Sequence, residues 1–340
     1  MRTRPLGRTG LHVSEIVFGG IPILQQDYPQ AERVLRAALE AGINCFDTAR
    51  GYGDSEAKMG RALAADECFI MSKAHTTDGA RILTDLEQTL ANLNRDHVDV
   101  YAMHQVGSAE QLAECLGPGG ALEALRKAKA DGKARAIGIT GHHRPTLIAA
   151  VEQAGDEIDS VMLLLNPLEL DALDRLVPLC NERGVGLVAM KAAGAGVWDS
   201  AQVLVSTKWC LNQPITCANI GFATVDEVQA AARIGREDLT LTDEDEATLQ
   251  RLRDQYELSY CRRCGECAPC PKGINIVGTL VGESMVKRLG WAQLGQRNFL
   301  ENARKARDCD ECGLCVERCP WALNVPALLP DALRRIEAMA

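Results

Sequence analysis

Nowhere does the 340-residue sequence hold a run of about 18 uninterrupted apolar residues, so no membrane-spanning helix is expected. Its opening segment, Met1-Arg2-Thr3-Arg4-Pro5-Leu6-Gly7, has no apolar stretch of signal-peptide length, so the expected compartment is the reducing cytoplasm. Positive charge is in deficit: 37 Lys and Arg face 46 Asp and Glu, a net charge of −9. A negative surface repels nucleic acid and anionic membranes, so neither is an expected partner. No strand-linked Gly-x-Gly-x-x-Gly occurs, which argues against a Rossmann dinucleotide site. A flavin fingerprint is missing too, as are low-complexity tracts and any repeat beyond an alternation of strands and helices.

What is present is that alternation. Short apolar runs at Ile16–Phe18, Asn44–Asp47, Phe69–Ser72, Val98–Met103, Ala134–Thr140, Val161–Leu165, Leu187–Met190 and Thr216–Ile220 are candidate strands. Between them apolar residues recur at three- and four-residue steps, as in Ala31–Glu40 and Leu122–Lys129, each ended by a glycine soon after. Eight such units are the count of a (β/α)₈ barrel. The segment around Leu6–Leu11 reads as a hairpin plugging one end. After the eighth unit Thr242 caps a further helix, with acids in its first turn. At Tyr260 the composition shifts to Cys, Gly, Pro and basic residues. The expected division is a barrel over 1–258 and a small cysteine-rich α domain over 259–340.

Strand ends are where a barrel keeps its chemistry. The second expected strand ends on Asp47, and Tyr52 follows in the Gly-flanked run Ala49-Arg50-Gly51-Tyr52-Gly53. The third ends on Ser72-Lys73 and the fourth on Met103-His104. Reduction of a carbonyl by hydride leaves an alkoxide that needs a proton. A tyrosine, at a pKa of about 10, becomes a usable donor when an ammonium lowers that value. Asp47 would hold Lys73 in place, and His104 would orient or polarise the carbonyl. Taken singly, Asp47 or Lys73 reads as half of a structural ion pair; the four together, in this order, read as a site.

The segment Gly42–Glu56, with Lys73 and His104 at strand ends, resembles the aldo-keto reductase superfamily, and the resemblance spans roughly residues 3–256. It implies a (β/α)₈ barrel and a small carbonyl or alcohol substrate. It also implies an extended NADP(H), or NAD(H), across the barrel mouth, with Tyr52 as general acid/base supported by Asp47, Lys73 and His104. The segments matching the family's cofactor loops are Met190-Lys191 with Gly194, and Gly221-Phe222 with Thr224; Asn166 is the candidate carboxamide contact. Departures are Thr140-Gly141-His142, where many relatives place Ser-Asn, and Ala231, where they often place Asn. An electron-transfer or redox-sensing protein on the same scaffold is therefore the rival reading.

Fourteen cysteines divide unevenly. Cys45, Cys68, Cys115, Cys180, Cys210 and Cys217 are scattered and read as small buried residues. The other eight form two groups: Cys261, Cys264, Cys267 and Cys270, then Cys309, Cys312, Cys315 and Cys319. The second is the bacterial ferredoxin run C-x₂-C-x₂-C-x₃-C-P, in which the fourth cysteine ligates the other cluster. Cys261, Cys264, Cys267 and Cys319 would then hold one [4Fe–4S] cluster, and Cys309, Cys312, Cys315 and Cys270 a second. Paired zinc sites are the alternative. A subset of aldo-keto reductase-like proteins is similar in carrying such a ferredoxin-type module. It serves either as a stapled lid or as an electron port for a one-electron donor protein, and the port is favoured.

Overall fold

A computed structural model describes all residues, 1–340. Eight parallel strands close a barrel in chain order: Ile16–Gly19, Cys45–Asp47, Phe69–Ala74, Val98–Met103, Ala134–Thr140, Ser160–Leu164, Gly186–Met190 and Cys217–Gly221. The eighth strand returns to the first, with Ala218 opposite Ile16 and Gly221 opposite Gly19. All eight expected strands form, with ends shifted by a few residues at most.

Each strand sends one side chain into a common interior layer: Val17, Cys45, Met71, Val100, Ala136, Met162, Val188 and Cys217. Leu6, Leu11 and Val13 join that layer from below. They come from the hairpin Thr3–Pro5 and His12–Ser14, which closes the N-terminal end as expected. Outward side chains meet the helices in a larger shell. The helix Tyr28–Glu40 is typical: Asp27 caps it, Pro29 occupies its first turn, and Ala31, Val34, Leu35 and Ala38 form its buried stripe. The six scattered cysteines are all buried and unpaired.

The helix Asp243–Tyr256, capped by Thr242, leads into the cysteine segment. The insertion between the two cysteine groups is helical, over Ile276–Leu280, Gly282–Leu294 and Gln296–Arg304. No helix is long and apolar enough to cross a membrane.

The module corrects the expectation that no further repeat exists. Cys270-Pro271-Lys272-Gly273-Ile274-Asn275-Ile276 and Cys319-Pro320-Trp321-Ala322-Leu323-Asn324-Val325 adopt the same conformation. Gly273 and Ala322 are left-handed, at φ 65° and 52°. Asn275 and Asn324 each cap the helix that follows. The cysteine loops repeat as well: Arg263 and Gly265 are left-handed in the first, Glu311 and Gly313 in the second. Only the cysteines, the glycines Gly265 and Gly313, one proline, one asparagine and apolar character persist between the halves, too little to register against the barrel's stronger periodicity. The joint apolar cluster of Ile274, Ile276, Leu323, Val325 and Leu329, against which six of the eight cysteines pack, ties the halves together.

Candidate active site and cysteine module

Asp47 and Lys73 stand side by side on neighbouring strands, both buried. The Lys73 ammonium donates to Asp47 Oδ1 at 2.7 Å, to Oδ2 at 2.8 Å and to the Thr48 carbonyl at 2.7 Å. Burial works against the charged lysine, yet Asp47 and Tyr52 outweigh it and hold its pKa above the ordinary value. The Lys73 nitrogen lies 5.1 Å from the Tyr52 ring centroid. The Tyr52 ring meets His104 edge-on at 5.9 Å between centroids. The structure therefore brings together all four residues singled out at the strand ends.

Two electrostatic details refine the expectation. Lys73 does pull the Tyr52 phenol downward, but burial is the larger effect and the phenol's pKa is raised overall. A protonated phenol at neutral pH is the form a general acid needs. Burial, with Lys73, His75, His142 and Lys191 nearby, pushes His104 down to about 2. His104 is thus a neutral imidazole, able to donate one hydrogen bond without carrying charge.

The sequence reading missed two supports. Asn219, on the eighth strand, donates to Asp47 Oδ2 at 2.8 Å. Its signal was a lone amide inside an apolar strand. Glu56 is fully buried and accepts from Ser72 at 2.9 Å, Thr89 at 2.8 Å, Arg50 at 2.6 Å and Asn92 at 3.0 Å. Four donors satisfy the buried carboxylate and pin the Tyr52 loop to the third strand and its helix.

A cavity of about 800 Å³ opens beside Tyr52 and Asp47 and extends past Met190 and Lys191 to Gly221, Phe222, Ala231 and Arg233. Two buried polar atoms in its wall, Trp198 Nε1 and Gln26 Oε1, have no partner within the protein. An unpaired donor and an unpaired acceptor in one elongated cavity fit a ligand with both kinds of group, as a nicotinamide dinucleotide has.

Of the loop residues expected to contact the cofactor, Met190, Lys191, Gly221 and Phe222 line this cavity. Gly194 does not, but a Cβ there would fall 2.1 Å from the Trp198 ring, so it lets Trp198 pack against the wall. Thr224 caps the helix Val225–Ile234, its hydroxyl accepting from Glu227 N at 3.2 Å, and does not line the cavity. The Glu227 carboxylate takes the Ala223 and Thr224 N–H groups, leaving that turn unsuited to a phosphate. Asn166 does not line the cavity either. It is fully buried behind the wall, its amide donating to Glu169 and to Lys191 O at 3.3 Å while its carbonyl accepts from Leu168 N at 2.9 Å. These bonds tie Asn166 to its own turn and to the Lys191 carbonyl.

The module lies against the barrel's catalytic end. Gln293 donates to Gly51 O at 3.0 Å, Gln25 donates to Lys287 O at 2.6 Å, and Ser284 bonds Ala195 O. Arg262 donates to Leu168 O at 3.0 Å, and Arg263 reaches Glu169 at 3.2 Å and Tyr260 at 2.7 Å. Lys287 and Arg288 of the helix Gly282–Leu294 complete the cavity wall.

All eight module cysteines are unpaired thiols. Burial raises the Cys264 thiol, with Cys319 among the neighbours adding to it. Burial does the same to Cys315, with Cys309, Cys312 and Cys270 adding. Cys319 thus stands near Cys264 of the first group and Cys270 near Cys315 of the second, in keeping with the crossover that paired cubanes use.

Comparison with known proteins accords with both halves. The aldo/keto reductase family matches residues 15–237, and a 4Fe-4S dicluster domain matches residues 260–324. An L-galactose dehydrogenase of Arabidopsis thaliana is 29% identical over 215 residues, 57% of this chain and 66% of that protein, just under two thirds of its length. An aldo-keto reductase of Mycobacterium sp. (strain MCS) is 30% identical over 254 residues, 68% of this chain and 86% of that one. An aldo-keto reductase from Bacillus halodurans in its holo form superposes at TM-score 0.64 and 23% identity, over 74% of this chain and 96% of that chain, a likeness of fold. The chain belongs to the aldo-keto reductase family and carries a ferredoxin-type iron–sulfur module after its barrel.

Proposed function

We propose that the chain interconverts a carbonyl and an alcohol by hydride transfer with NAD(P)(H), Tyr52 acting as general acid/base. The observation that carries this reading is the Tyr52 ring, held 5.1 Å from the Lys73 nitrogen in the wall of a cavity of about 800 Å³. A bound nicotinamide supplies or accepts the hydride. The protein's part begins with His104, whose neutral imidazole donates a hydrogen bond to the carbonyl oxygen and draws electron density from its carbon. As the oxygen becomes an alkoxide, Tyr52 gives it the phenolic proton. Lys73 stabilises the phenolate left behind, while Asp47 and Asn219 keep the ammonium aimed at the ring. For alcohol oxidation the same steps run backward. Met190, Lys191, Gly221 and Phe222 would line the cofactor; Arg233 is the one cation near its far end, opposed by Asp226 and Glu227.

We assign Cys261, Cys264, Cys267 and Cys319 to one [4Fe–4S] cluster and Cys309, Cys312, Cys315 and Cys270 to a second, in a domain beginning at 259. Free thiols suit a reducing, cytoplasmic compartment. The port reading, over that of a stapled lid, draws support from one contrast. The first group abuts the barrel through Arg262 and Arg263, whereas Cys312 is the exposed member of the second.

Tyr52→Phe tests the catalytic reading. With cofactor affinity unchanged, carbonyl turnover falls about 10²- to 10⁴-fold, the usual worth of a positioned proton donor. Turnover within a few-fold of wild type would remove Tyr52 from the mechanism.

A further inference from the structure

The wall of the cavity beside Tyr52 carries more basic than acidic side chains, its carboxylates being Asp47, held by Lys73, and Asp226 and Glu227. Four basic side chains line it: Lys191, Arg233, Lys287 and Arg288. Lys287 is paired with Glu283 at 2.7 Å. The nearby Arg263 is spent on Glu169 and Tyr260. Lys191 and Arg288 have no carboxylate within ion-pair distance, and the one side-chain hydrogen bond of Arg288 runs from Nε to Ser284 Oγ at 3.3 Å. Both terminal nitrogens of Arg288 remain free, the fork that receives a carboxylate in bidentate fashion.

Neither cation is where it is by default. Lys191 sits in the left-handed region at φ 61°, and Asn166 clamps its carbonyl. Arg288 comes from the insertion between the cysteine groups, and its stem packs against Gly196 at the mouth. Burial, together with Arg288 and Arg263, pushes the Lys191 ammonium well down. Burial and Arg263 push the Arg288 guanidinium down as well. Two partly desolvated, mutually repelling cations are stabilised by an anion placed between them.

Two sources offer such an anion, the substrate or a cofactor phosphate. The helix Gly282–Leu294 lies over the barrel mouth, where Gln293 touches the Tyr52 loop, so Arg288 faces the reacting end of the cavity. We propose that the substrate carries a carboxylate beside its carbonyl or alcohol group, held by Arg288 with Lys191. The iron–sulfur module would then supply substrate specificity as well as cover. This rests on the reductase reading of Tyr52 and deepens it.

The test is binding of benzoate and benzamide to the cluster-loaded protein saturated with NADP⁺. In wild type, benzoate is expected to bind about tenfold or more tightly than benzamide, the worth of hydrogen bonds to a charged partner. In Arg288→Gln that preference falls to within about twofold, and in Lys191→Met by a smaller factor, while NADP⁺ affinity in Arg288→Gln stays within about twofold of wild type. Equal binding of the two ligands to wild type would overturn the proposal. So would an Arg288→Gln protein that keeps the preference and loses NADP⁺ affinity, because the cation would then serve the cofactor. Binding is read without turnover. Continued reduction of neutral aldehydes alongside a failed benzoate preference would therefore leave the reductase reading intact.

Discussion

The barrel rim and the cysteine module solve the same problem, placing functional groups precisely, by opposite means. At the rim the groups come from three successive strands and the loops that follow them, between residues 47 and 104. They are held by buried partners: Asp47 by Lys73 and Asn219, and the Tyr52 loop by Glu56. Nothing but protein is needed to fix them. In the module the groups lie two or three residues apart, on loops with little buried surface, around an apolar cluster of ten residues. Such a small core contributes little by itself, and structural metal commonly supplies the remainder. The rim is therefore pre-organised without ligand, and the module is organised by what its cysteines bind.

Stripping the clusters breaks this comparison most sharply. Anaerobic chelation, or Cys312→Ser, is expected to open the module to protease between residues 260 and 340 while far-UV circular dichroism still reports an intact barrel. Loss of NADPH-driven and one-electron-driven turnover together would mark the module as a lid. Selective loss of turnover fed by a one-electron donor such as reduced methyl viologen would mark it as a port. Survival of the folded module and both activities would contradict each.

The next effect is at the rim. Lys73→Met leaves Asp47 buried without its cation, at a cost of about 3–5 kcal/mol. A denaturant series would find the loss in the barrel transition and none in the module's. If both transitions moved equally, the two regions would not be independent.

The smallest effect concerns pH. His104 and His142 are pushed down to about 2 and about 3 by burial and neighbouring cations. In the unfolded chain they titrate near about 6.5. Below that value the unfolded state binds protons that the folded state refuses, so stability present above about pH 6.5 is lost progressively as pH falls toward 3. The decline should be shallower in His104→Gln. The raised Tyr52 phenol makes a related forecast: reduction stays flat with pH up to about 9, and oxidation of the alcohol keeps rising beyond it.

The comparison also explains what the sequence made legible. Short apolar runs set between period-3.6 segments mark every barrel strand, and local cysteine spacing marks every module thiol. The four rim residues were readable because Asp47, Lys73 and His104 stand at strand ends, Tyr52 lies in the loop after Asp47, and strand ends share one face. Asn166 and Thr224 are polar residues in the right loops that bond within their own turns. Whether such a side chain faces the cavity or caps its own turn depends on one rotation of the backbone. Arg288 carried no signal at all, since only tertiary docking of the insertion brings it to the cavity. The module's internal repeat was hidden because a helical insertion separates its halves.

The most direct test of the central claim is the fate of a label. Protein loaded with its clusters is given NADPH deuterated on the transferred face of C4, with phenylglyoxylate or 4-nitrobenzaldehyde as acceptor, and the product alcohol is read by mass spectrometry. The account predicts deuterium at the former carbonyl carbon in wild type, with the rate collapsing in Tyr52→Phe and the label still transferred in whatever product forms. Unlabelled alcohol, its hydrogen drawn from solvent, would mean that electrons reach the substrate one at a time and that the rim does not carry out hydride transfer.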